Sequence, residues 1–152
     1  MIAEIEADIV AKIKAALPSL SVEAFPDRPN LHRSASPNGS VLVVYQRSTL
    51  GSDLVAGGMV AQERTLHFDL TVLVRDLRTH QGAYPILDAL YVALLGFAPI
   101  HCSKIWITQD SFVSQTDGVW EYQLTLAMCT MAIEDISASS APLATAISIL
   151  GV

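Results

Sequence analysis

Residues 82–100 read GAYPILDALYVALLGFAPI, and the fold turns on whether this stretch crosses a membrane or packs inside a domain. A spanning helix needs about 20 apolar residues with few or no charges. This run contains Asp88 and is broken by Pro99 before Ile100, so the membrane reading fails. Pro85 suits a first helical turn, because its missing N–H would have had no intrahelical partner there. Ile86, Leu87, Leu90, Leu94 and Phe97 then share one face, with Gly96 near the end. The spacing predicts a core helix laid against a sheet.

Working outward, the residues before it supply that sheet. From Thr65 the chain alternates, with Leu66, Phe68, Leu70, Val72 and Val74 on one side and Thr65, His67, Asp69, Thr71 and Arg75 on the other. Val41–Arg47 (VLVVYQR) reads as a buried strand, and Ser21–Phe25 as a short one. Between Arg47 and Thr65, "STLGSDLVAGGMVA" is expected to be a long Gly-rich loop. Three prolines and Asn38-Gly39 make residues 26–40 a polar turn. At the amino end, Ile2, Ile5, Ile9, Ile13 and Leu17 recur at helical spacing until Pro18. After residue 100, two strands flank Thr116-Asp117-Gly118, whose Asp-Gly is a strong hairpin signal. The expected architecture is α+β: one sheet of four to five strands and two helices, in the order α-β-β-β-α-β-β. Residues 1–134 form a single domain, and 135–152 form an apolar segment with no charged side chain after Asp135.

Composition narrows the function. The 152 residues are 51% hydrophobic and only 16% charged, against about 25% charged in an average domain. A chain with so few charges has a generous core or hides surface against partners, and this length favours the second. The net charge of −6, with nine Lys and Arg spread thinly, argues against gripping nucleic-acid phosphates. The amino terminus lacks a basic segment followed by an apolar block, so it does not read as a secretory signal. Cys102 and Cys129 lack metal or redox spacing and read as reduced residues of apolar strands.

Catalytic signatures fail on spacing. Gly57-Gly58 lacks the Lys-Ser/Thr of a phosphate loop, no GxSxG turn exists, and His32, His67, His80 and His101 suit no metal motif. His101 and Cys102, if in a strand, point to opposite faces. His67 and Asp69 share a face about 7 Å apart but have no nucleophile beside them. They read as solvated or interface residues. No catalytic residue, cofactor or metal is expected. The informative features are Leu50, Leu54, Val55 and Met59 in the apolar loop, with Asp53 and Arg64 beside them, and Leu143, Ile147 and Leu150 in the chargeless C-terminal segment. Together with His67 and Asp69, these are the candidate interface residues. These apolar groups either fold back on the domain's own body or mark contact surfaces, as exposed apolar groups do.

The succession "VEAFPDRP", "PNGSVLVVY", "QERTLHFDLTVLVRDLR", "GAYPILDALYVALLGF" and "DGVWEYQLTLA" resembles a family of Mu-like bacteriophage tail proteins over residues 1–132. The resemblance implies a tail terminator, or tail-completion protein. Such a protein is a small α+β domain that forms a six-membered ring on the end of the tail tube. It stops polymerisation and presents a surface to the neck of the head. The implied partners are further copies of the chain, the tail tube protein, the sheath protein in a contractile tail, and a neck or head-completion protein. DNA would pass through without specific binding, and no membrane is involved. The implied location is the virion, after assembly in the host cytoplasm. A net acidic ring suits such a channel, since phosphates are repelled. The alternatives are a neck or connector protein or another minor tail ring protein, the cap of a contractile injection device, and a small cytoplasmic enzyme or ligand-binding domain.

Overall fold

Period-two alternation in the central strand generates a two-sided sheet with both helices on one side. The computed structural model describes residues 1–27, 38–80 and 82–135. Its elements run α1 (Ile2–Ala16), β1 (Ser21–Ala24), β2 (Ser40–Ala56), β3 (Met59–Val74), α2 (Ala83–Leu94), β4 (Trp106–Thr116) and β5 (Val119–Ile133), in the order predicted. The five-stranded sheet has the spatial order β1-β2-β3-β5-β4. Only β1 and β2 pair in parallel; every other neighbour is antiparallel.

The helix-covered side is the core. Leu66, Phe68, Leu70 and Val72 of β3 and Leu124, Leu126 and Met128 of β5 are fully buried. They cluster with Ile5, Ile9 and Ile13 of α1 and Ile86, Leu90 and Leu94 of α2. Each large side chain so buried contributes roughly 1.5–3 kcal/mol of transfer free energy. Leu42 and Ala127 are also buried but stand outside that cluster, as expected for the opposite face of β2 and β5. Pro18 follows α1, whose last turn closes through Leu17 N–H donating to Ile13 O at 2.8 Å. The start of α2 is fixed by close approach. A Cβ on Gly82 would lie 2.5 Å from the Leu77 carbonyl, so no larger residue fits there without backbone movement.

Two expectations are corrected. The segment predicted as a long loop is the continuation of β2 and β3 into an extended hairpin. Ala56 pairs with Met59 across Gly57-Gly58, both at positive φ (64° and 81°). That is the two-residue turn whose twist matches its flanking strands, and Gly-Gly is among its preferred sequences. Cys102 lies outside any strand. It ends a turn in which its N–H donates to Pro99 O at 3.1 Å, and His101 before it takes φ 61°. Both thiols are free, and burial pushes the Cys102 thiol up from its ordinary range. The Asp117-Gly118 turn forms as predicted, at φ 54° and 77°. No described helix is long and apolar enough to cross a membrane.

Candidate functional site

The distal part of the β2–β3 hairpin carries the largest concentration of exposed apolar side chains. Beyond Leu66 and Met128 the sheet continues as a three-stranded arm: Thr49–Ala56, Met59–Thr65 and Cys129–Ile133. At about 3.3 Å per residue the arm is roughly 25 Å long. Leu50, Leu54, Val55, Val60, Met131 and Ile133 are all exposed, by 43–62%. Register places them on both surfaces. Leu54 opposes Ala61, which opposes Ile133, whereas Leu50 opposes Arg64 and Val55 opposes Val60. A strand pair shielding one apolar side would hide the other partners' side chains; here both sides meet solvent in the isolated chain. Two-sided apolar exposure on a projecting arm is the signature of a contact surface.

The arm is braced at both ends. At its root the β2 register shifts between Tyr45 and Arg47. There Arg64 Nε donates to Ser48 Oγ at 2.8 Å, and Ser48 lies 2.6 Å from the Tyr45 hydroxyl. These bonds, from Ser48 and then Arg64, lower the Tyr45 pKa from its usual value. Near the tip the Val60 N–H donates to Glu134 Oε2 at 3.0 Å, and the Glu134 N–H donates back to Val60 O at 2.9 Å. Gln62 Nε2 ties the two hairpin strands by donating to Gly51 O at 3.1 Å. Such bracing preserves the arm's shape before it meets anything.

The predicted contact residues divide accordingly. Leu50, Asp53, Leu54 and Val55 are exposed on the arm, Met59 is half-buried beside the turn, and Arg64 is half-buried in the root. His67 and Asp69 lie elsewhere, in the middle of β3 on the face away from the helices. Each is only 8% exposed, so neither is the solvated residue expected. They are covered because β3 is central, with strands on both sides. Asp69 Oδ1 accepts from Thr125 Oγ1 at 2.8 Å; His67 Nε2 lies 3.3 Å from Thr49 Oγ1, and its Nδ1 is buried without a partner. Burial, reinforced by Arg47 and opposed by Asp69, lowers the His67 pKa from 6.5. Leu143, Ile147 and Leu150 lie outside the described residues. Sequence reasoning missed Val60, Met131 and Ile133. The last two continue the outward alternation Thr125, Ala127, Cys129, which was the available signal. It also did not single out Trp106, Phe112 and Val113, which are exposed on β4, a strand it had predicted.

Among the described residues no three His, Cys, Asp or Glu side chains converge to hold a metal. The depression between α1 and α2, about 540 Å³, is lined by Lys12, Asp88, Val92 and four alanines. It presents one cation and one carboxylate, and no nucleophile.

Comparison with known proteins then bears on the chain as a whole. No curated protein matches it. Its fold resembles a chain in the structure described as the virion of a native gene transfer agent particle. The TM-score is 0.54 at 12% identity, covering 86% of this chain and 97% of that one. The profile of the family described as Gp37 protein matches residues 9–149, and so extends into the apolar C-terminal segment. With 9–149 matched out of 152 residues, the chain belongs to the Gp37 family.

Proposed function

We propose that this chain is a structural protein of a phage-like virion, and specifically a ring-forming terminator that caps the tail tube and offers a surface to the neck. The observation that carries the reading is the braced arm with apolar side chains on both surfaces. A ring subunit must give two different flanks to its neighbours, because a head-to-tail contact repeats around the ring until it closes. It must also give upper and lower faces to other components. An arm exposed on both surfaces and an exposed edge strand meet that demand in a domain of this size. Membership of the Gp37 family, and a fold shared with a chain of a gene transfer agent virion, support the same reading. The activity is binding and capping, without a catalytic step.

The test is the length distribution of tails, by electron microscopy, in particles made without this gene. Overlong tubes without heads are expected. Tails of normal length that fail to join heads would make it a neck protein instead. Infectious particles of normal form would overturn the structural role.

A further inference from the structure

The proposed ring leaves open what the arm touches, and the molecule contains a matching surface between its two helices. Met1, which caps the start of α1, lies beside Glu63 and Met131, so α1 starts at the root of the arm. It ends at the opposite end of the strands, where Leu20 packs by Gly39 next to the Ser40–Leu73 pair. The groove between α1 and α2 is formed by the late residues of α1, including Lys12, Ala15 and Ala16, with Ala89, Val92 and Ala93 of α2. Val92 is 86% exposed, the highest value among the large exposed hydrophobic residues. The groove lies on the helices, whereas the arm extends the paired sheet beyond Leu66 and Met128, and its strand pairing keeps it from folding back into the groove of its own chain.

Charge selects the pairing. The exposed acids of the arm are Asp53, Glu63 and Glu134, while its one arginine, Arg64, is engaged at the root. Two arms laid together would bring acids against acids. The groove offers Lys12, which sits 5.3 Å from the Phe97 ring centroid. Both Lys12, on the α1 wall of the groove, and Asp53, on the arm, are exposed. Asp88 stands on the α2 side of the groove, which leaves the α1 wall as the side that accepts an acid. Alanines along both helices allow a strand backbone to approach closely.

Resting on the ring reading, we infer that the arm docks head-to-tail into the α1–α2 groove of a second copy. Val55, with Val60 opposite it, covers Val92 and its flanking alanines, and Asp53, two residues before Val55 on the same face, meets Lys12.

Charge reversal in the purified full-length chain, followed by sedimentation velocity across concentration, tests this contact. Asp53→Lys and Lys12→Asp should each weaken self-association at least about tenfold, and the double variant should recover most of the loss, as direct charge partners do. Circular dichroism melts confirm that each variant is folded, both sites being exposed. Association unaffected by either reversal would overturn the contact, as would a double variant no better than the singles. A wild-type chain that stays monomeric at about 100 μM, where contacts weaker than roughly −5.5 kcal/mol go undetected, would also overturn it. Tail lengths decide the capping role separately, so the contact can fail while that role stands.

Discussion

The two halves of the β2–β3 hairpin have the same pairing and opposite surroundings. From Leu66 to Val74, β3 buries every second side chain under α1 and α2; from Met59 to Thr65 the same strand buries none. Backbone hydrogen bonding runs through both halves, so the difference lies in what covers the side chains. The inner half is stabilised by removing apolar surface from water within the chain. The outer half is held by pairing, by the root cluster of Tyr45, Ser48 and Arg64, and by Glu134, and its apolar surface stays exposed in the isolated chain. A substitution inside the first region should change folding, and one in the second should change assembly.

The largest effect separating the halves is expected at Phe68, which is fully buried. Phe68→Ala should cost about 3–5 kcal/mol, through lost transfer energy and the cavity left behind. Urea denaturation measures it, and a loss below about 1 kcal/mol would mean that the inner half is not the folding core. Next comes the polar face of the same half. Thr125→Val keeps the side-chain shape but removes the hydroxyl that donates to buried Asp69. A loss of roughly 1.5–3 kcal/mol is expected for a hydrogen bond to a charged group.

His67 sharpens the comparison through pH. Its folded pKa lies below the 6.5 of an unfolded chain, because burial and Arg47 disfavour the imidazolium. The unfolded chain therefore binds the proton more readily, and stability rises with pH across the window from the folded pKa to 6.5. The contribution is fully present above pH 6.5 and is lost as pH falls through that window. Melting temperatures between pH 7.5 and 5.5 should fall for the wild type and fall less for His67→Gln. Equal slopes would show that His67 is not the group responsible.

Smaller effects follow outside the core. His101 adopts φ 61° in an exposed turn held by Thr130 Oγ1 donating to its carbonyl at 2.8 Å. His101→Gly should remove the left-handed penalty at the cost of a freer unfolded chain, for a net gain of up to about 1 kcal/mol. On the arm, Leu54→Asp should change folding stability by no more than about 0.5 kcal/mol, yet reduce assembly in the sedimentation assay. A destabilised monomer would place Leu54 in the folding core after all and dissolve the distinction between the halves.

Much of the inner half was legible because one-sided burial writes a period into the sequence. Leu66 to Val74 alternates cleanly, Ile5, Ile9 and Ile13 recur at helical spacing, and Ile86, Leu90 and Leu94 repeat the pattern. The arm was harder to read for the same physical reason. With both surfaces apolar and neither buried in the chain, Leu50, Leu54, Val55 and Val60 carry no period that separates a strand from a loop. The Gly57-Gly58 turn was the overlooked cue. His67 and Asp69 look like any polar strand face in sequence, and their burial depends on strands β2 and β5 flanking them.

The sequence by itself determined the element order, the faces of the helices, the Asp117-Gly118 hairpin and the want of any local catalytic motif. These follow from local spacing and turn chemistry, which act over a few residues. The tertiary structure decided that the Gly-rich segment is an arm, that Met131 and Ile133 join it, and that His67 and Asp69 are buried. Those facts depend on register between strands distant in the chain, where backbone pairing and shared burial, rather than neighbouring residues, fix the outcome.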